Sequence, residues 1–276
     1  MIGQAALAWP VRLAAWCLIG FLVLPFLVVI PVSLTDRAYL SLPEHALSLA
    51  HYRELLADPE WREAFMRSAV IAGATTVLAT VVGTACAFGC WRLPATVAKW
   101  VRALVLLPII VPTIIQALAF YRTWINLHLV NTYPGVILAH TIIALPFVFI
   151  AVSAALAHVD QRVEMAARSL GAGTGQTLRW VIVPMVLPGV LSGALFAFVA
   201  SFDEVIIVLF ITTRGIETLP KKMWDGLRND LNPTIACVAV ALGIVTIAIL
   251  MLEWLLTRPR EKARDPDAAL EAGRAI

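Results

Sequence analysis

Apolar residues in this chain come in long runs, not in the one-faced pattern of a soluble helix. Six runs reach the roughly 20 residues that a helix needs to cross the hydrocarbon of a bilayer. They are 13–34, 69–90, 101–121, 135–157, 186–212 and 234–257. None shows the two-residue alternation of a membrane barrel, and every backbone group in lipid needs an internal partner, so helices are the expected spanning form. The pattern predicts an all-α integral membrane protein with six transmembrane helices. Pro25, Pro31, Pro108, Pro112, Pro146 and Pro188 interrupt the runs. Each removes a helical hydrogen bond, which predicts bent helices supported by neighbours. Gly73, Ala74, Ala79, Gly83 and Ala87 give the second span a surface for close packing.

Between the runs lie polar segments. Residues 36–68 are mixed in charge, and 51–57 has the pattern of a short amphipathic helix. Residues 158–185 form a connecting loop with helical character, and 258–276 form a charged tail. The transmembrane domain is therefore expected over 1–257. The run 13–34 exceeds the roughly 7–15 apolar residues of a secretory signal core and no small-x-small site follows it, so it is expected to stay as the first span.

Composition fits this picture. The chain is 61% hydrophobic and 14% charged, with mean hydropathy +0.86, whereas soluble domains carry about 25% charged residues. The net charge of +3 is scattered and forms no basic stripe, which argues against nucleic acid. With the N-terminus inside, twelve Lys and Arg fall on the inner side and nine outside. This bias favours N- and C-termini in the cytoplasm. Cys17, Cys86, Cys90 and Cys237 all lie in apolar runs, against a disulfide framework. Cys86 and Cys90 share a helix face, the spacing of a metal pair. No His, Asp or Glu on that segment completes a ligand set, so they read as small buried residues.

The loop from Val163 to Pro184 carries the most specific pattern. Ala166 and Ala167 make a face small enough for another protein to approach, and Gly171 permits a left-handed turn that ends a short helix. Pro184 then marks the start of the fifth span. This arrangement resembles the EAA loop of ABC-importer permeases, in which Glu-Ala-Ala precedes Gly and a later Ile-x-Leu-Pro. Val181 and Val183 replace the Ile and Leu, Met165 stands at the motif Glu, and Glu164 lies one residue early. Ser201-Phe-Asp-Glu-Val, Thr218-Leu-Pro-Lys-Lys-Met-Trp and Asn232-Pro-Thr-Ile-Ala are similar to the spermidine/putrescine permeases of the same family.

The resemblance implies a type I importer (MetI-like) fold in the bacterial inner membrane. It implies a second permease subunit, most simply in a heterodimer, a cytoplasmic ATPase dimer and a periplasmic substrate-binding protein. It makes Glu164, Met165, Ala166, Ala167, Gly171 and Pro184 the ATPase-coupling residues. The chain has no GxxxxGK[ST] cradle, since no Lys-Ser or Lys-Thr follows Gly171-Ala-Gly-Thr-Gly175. It is therefore expected not to be an enzyme; ATP and Mg belong to the partner ATPase, and this chain needs no cofactor.

Asp203 and Glu204 interrupt an apolar run. A carboxylate in mid-bilayer costs about 2.5–3.5 kcal/mol on insertion scales, so such residues face a cavity or a partner. A carboxylate on the pathway replaces part of the hydration of a polyamine, and Phe202 or Trp224 adds cation–π contact. Adjacent helical residues point about 100° apart, so the two acids share one narrow pore only if the helix breaks there. One reading places Asp203 on the pathway and Glu204 toward the partner subunit. The other has both acids capping a helix break or pairing with Arg or Lys. Gln116, Tyr121 and His140 read as bonds to neighbouring helices, and Lys221, Lys222 and Asp225 as a solvated outer face. Permeases of the same architecture for iron, thiamine, sulfate, phosphonate or amino-acid derivatives are the alternative. An intramembrane enzyme lacks its motifs here, and a stand-alone secondary transporter lacks the inverted repeat that would mark it.

Overall fold

A computed structural model describes residues 2–213, 215–229 and 231–257. All regular structure among them is helical. In chain order the helices are α1 (Ile2–Ser33), α2 (Ala50–Ala57), α3 (Pro59–Arg92), α4 (Ala95–Ile110), α5 (Thr113–Leu127), α6 (Tyr133–Ala157), α7 (Gln161–Ser169), α8 (Thr174–Thr177), a π-helical turn (Leu178–Ile182), α9 (Val183–Phe202), α10 (Ile206–Ile211), α11 (Leu219–Asn229) and α12 (Thr234–Thr257). The predicted tail 258–276 lies outside the described residues.

The chain divides into two compact units. One contains residues up to 55 and from 231. There α1 packs on α12, and a Cβ on Gly243 would lie 2.2 Å from the Phe26 ring. The Cys237 thiol donates to the Ser33 carbonyl at 3.3 Å, and Ser33 Oγ bonds Tyr52 OH at 2.8 Å.

The other unit, residues 56–230, is built on α3, α6 and α9. Small residues bring these helices together, as helix association in lipid requires. A Cβ on Gly83 would sit 2.9 Å from Val148 Cβ, and one on Gly193 would sit 2.9 Å from Val148 Cα. Val148 of α6 is thus held between two glycines, one from each neighbour. Ala79, Ala87, Phe149, Val152, Leu156, Ile182 and Val186 complete this core. A second core joins Ile71, Ala117, Trp124, Val136, Ile207 and Ile211. Trp124 Nε1 donates to the Gly135 carbonyl at 2.9 Å, satisfying the one polar atom the indole buries.

Among the described residues, four helical segments are long and apolar enough to cross a bilayer: Val11–Ser33, Pro59–Arg92, Tyr133–Ala157 and Thr174–Phe202. The 24-residue α12 adds a further apolar helix.

Two predicted spans need correction. The third, 101–121, is not one helix: α4 and α5 meet at a bend of 105°. Pro112 lacks an N–H and pushes Val111 into extended backbone (φ −80°, ψ 126°), which ends α4. Gln116 closes the gap, donating from Nε2 to the carbonyls of Pro108 (2.8 Å) and Val111 (2.7 Å). One partner, Pro108, lies on the adjoining helix α4 and the other, Val111, is the residue at the break. The fifth, 186–212, begins earlier and ends sooner, running as helix from Thr174 to Phe202 and then breaking before α10.

Candidate functional site

The segment connecting α6 to α9 opens with Asp160, whose side chain accepts from Arg162 N at 2.8 Å and caps α7. The helix closes in a Schellman motif. Ala172 N donates to Ala167 O at 3.1 Å, Gly171 N donates to Arg168 O at 2.9 Å, and Gly171 carries φ +86°. Gly171 holds a backbone state that side chains with a Cβ adopt only with strain.

The exposed surface of α7 is mixed: Met165 (59% exposed) and Ala166 lie on it beside Arg162, Arg168 and Ser169, and the C-cap Leu170 is 89% exposed. Glu164 turns the other way: Oε1 lies 2.9 Å from Arg92 at the end of α3 and 3.0 Å from Arg168 one turn along.

Pro184 sits inside a continuous helix, not at its start. It has no N–H to give the carbonyl four residues back. The turn before it is π-helical, and Val183 N donates five residues back to Leu178 O. The widened turn lets the helix pass through the proline.

The second region is the break after α9. Asp203 is the C-cap of α9 and is exposed. Glu204 Oε1 accepts from Ile207 N at 2.9 Å, placing a carboxylate on the first turn of α10. Among the described residues neither acid has an ion pair; Glu204 caps the first turn of α10 through its side chain, and Asp203 stands at the C-cap position of α9.

Phe202 is not solitary. Its ring stacks on Phe198 at 5.7 Å and meets the edge of Phe65 from α3 at 5.9 Å. Ser201 Oγ bonds His140 Nδ1 of α6 at 2.8 Å in a fully buried pair. The break thus lies where α3, α6 and α9 converge. Trp224, 41% exposed on α11, has no ring pairing or hydrogen bond to Phe202 or Asp203 among the described residues.

Sequence reading missed Phe198, Phe65 and Arg92 as site residues. Phe198 stands four positions before Phe202, a spacing that puts both rings on one helix face, so the signal was present. Phe65 and Arg92 had none, because their partners are distant in sequence.

Part of the segment expected to be a solvated face also departs from that expectation. Lys221 is buried, donating to Thr212 Oγ1 at 3.0 Å and Thr213 O at 2.8 Å. Burial lowers its pKa, opposed by Asp225 and Glu217. Lys222 binds Glu60 at 2.6 Å and lies 5.2 Å over the Trp61 ring.

The chain is thus a polytopic, all-helical membrane protein in which a capped connecting helix, α7, precedes a long helix that ends at Asp203. Residues 79–261 match the binding-protein-dependent transport system inner membrane component, and the chain belongs to that family. It is 26% identical to the spermidine/putrescine transport system permease protein PotC of Haemophilus influenzae over 239 residues, 87% of this chain and 93% of that protein. It is 30% identical to the putrescine transport system permease protein PotI of Escherichia coli K12 over 228 residues, 78% of this chain and 79% of that one. Its fold is similar to a bacterial ABC transporter involved in the import of the acidic polysaccharide alginate, with TM-score 0.71 and 13% identity, covering 95% of this chain and 98% of that one.

Proposed function

We propose that this permease imports polyamines. The observation that carries the reading is Asp203: an exposed carboxylate at a helix break, next to an aromatic cluster of Phe202, Phe198 and Phe65. Ammonium groups on a flexible alkyl chain match that chemistry, with charge pairing at Asp203 and cation–π or methylene contact on the rings. The substrate printed in the names of the PotC and PotI relatives supports the same choice. The fold does not decide it, since the same architecture serves a transporter of an acidic polysaccharide.

In this reading the segment 158–185 is the ATPase-coupling loop. Met165, Ala166 and Leu170 meet the ATPase, while Glu164, Gly171 and Pro184 set the position and rigidity of the loop. A dimer of ATPase subunits carries ATP and Mg. A second permease subunit forms the other wall of the pathway in a heterodimer, a periplasmic binding protein delivers substrate, and both termini of this chain lie in the cytoplasm. Trp224 contributes only if closure brings α11 to the break.

Uptake of labelled putrescine by cells lacking their own polyamine importers, and carrying this chain with its partner subunits, tests the reading. Saturable uptake is expected, with its efficiency about tenfold lower in the Asp203→Asn variant. Uptake that stays at the level of the empty cells overturns the polyamine assignment.

A further inference from the structure

Met165 occupies the place of the carboxylate in the EAA pattern, and Glu164 lies one residue early. We propose that Glu164 is a positioning residue that ties α7 to the inner end of α3, so that movement of α7 passes directly to α3 as well as along the chain into α9. The inference rests on α7 being the ATPase-contacting helix, as proposed above.

Glu164 is the more buried member of the cluster, its side chain 16% exposed against 32% for Arg92 and 51% for Arg168. Arg92 is the last residue of α3, and its guanidinium lies 5.7 Å over the Trp91 ring. This stacking limits where the guanidinium can go. Arg92 and Glu164 are 72 positions apart in sequence. An open groove of about 390 Å³ is lined from both helices, by Trp91 and Arg92 of α3 and by Glu164, Met165 and Arg168 of α7. The Arg92–Glu164 ion pair spans it. Arg168, one turn along α7, holds the same Glu164 oxygen, so the carboxylate keeps its aim as α7 moves.

The element that is gripped reaches far. α3 has 34 residues, about 51 Å at 1.5 Å per residue. Toward its other end Phe65 meets Phe202 beside Asp203. One helix thus has one end tied to α7 and the other against the break in α9. Coupling between two sites needs such an element whose position both ends bias. The outward face of α7 is free for the partner because Glu164 is turned inward, with Met165 and Leu170 exposed.

The test uses the assembled importer in proteoliposomes, with spermidine as substrate, and reads spermidine imported per ATP hydrolysed. A partly exposed pair is worth about 0.2–1 kcal/mol, so Glu164→Gln and Arg92→Gln are each expected to lower that ratio by about 1.4- to fivefold. The double variant is expected to be no worse than either single one, the sign that both act through one contact. Arg92→Gln lies off α7 and so reads the pair even where Glu164→Gln loses the ATPase. A loss of stability alone changes the amount of importer, not the ratio. Unchanged ratios in a wild-type-like coupled complex, or losses that multiply in the double variant, overturn the inference alone. A wild-type complex without ATP-driven uptake overturns the underlying reading and the inference with it.

Discussion

Glu204 Oε1 accepts the Ile207 backbone N–H at 2.9 Å, and the acid beside it, Asp203, makes no such bond to α10. Two adjacent carboxylates therefore have different work. Glu204 starts a helix, and Asp203 stays exposed at the end of another. Asp203→Asn is expected to lower uptake efficiency by about tenfold, the effect of losing about 1.4 kcal/mol of charge pairing. Glu204→Gln keeps an oxygen that accepts from Ile207 and is expected to transport nearly as the parent does. Transport kinetics of the two variants check this. Unchanged kinetics in Asp203→Asn with loss in Glu204→Gln would reverse the assignment.

The bend between α4 and α5 depends on one amide. Gln116→Leu leaves the carbonyls of Pro108 and Val111 without the donors they now have. Leaving a buried acceptor unpaired costs about 1–3 kcal/mol. Thermal unfolding of the purified protein in detergent should show a lower midpoint for this variant, and an unchanged midpoint would mean that another donor holds the bend.

Val148 has no room to yield on either side. Gly83→Leu forces side-chain atoms into space where even a Cβ lies 2.9 Å from Val148. Overpacking of this kind costs about 1–3 kcal/mol. The combination with Val148→Ala should recover part of the loss in midpoint, whereas purely additive losses would contradict the packing account.

Acid should loosen the contact between α2 and the start of α12 in the first unit. The bond from His51 holds the Glu54 carboxyl below its usual range, assisted by Asn232 and Thr234 and opposed by burial. Glu54 Oε2 lies 3.2 Å from both His51 Nδ1 and Thr234 Oγ1. A lowered carboxyl pKa means stability that is fully present above the ordinary value of 4.5 and lost as pH falls through the lower folded value. Exchange of the backbone amides near Asn232–Thr234 should therefore speed up below about pH 4.5 relative to a Glu54→Gln variant, after correction for intrinsic rates. An identical pH profile in the two proteins would remove Glu54 from the account.

What the sequence made legible was what the backbone demands. Long apolar runs pointed to spanning helices, and Gly171 marked the end of α7 because few other residues accept its φ of +86°. The loop spacing to Pro184 was equally visible, although the helix passes through that proline on a π-turn instead of starting there. Contacts that depend on where helices meet were not legible. Gln116 reads as one polar residue in an apolar run until Pro112 bends the chain back toward it. Arg92 counted only as an inner charge, because its partner lies 72 residues away. Phe65 gave no hint of Phe202, and Lys221, next to the exposed-looking Lys222, gave no sign of burial. For Asp203 and Glu204 the sequence posed the right question, whether the helix breaks, and only the chain path answers it.

The most direct measurement is uptake by proteoliposomes holding the complete importer, its binding protein and ATP. The substrates would be putrescine, spermidine, a basic amino acid, thiamine and ferric ion. The account predicts ATP-dependent uptake of putrescine or spermidine that the other cations do not compete away. ATP-dependent uptake of another substrate, with both polyamines inert, would contradict it.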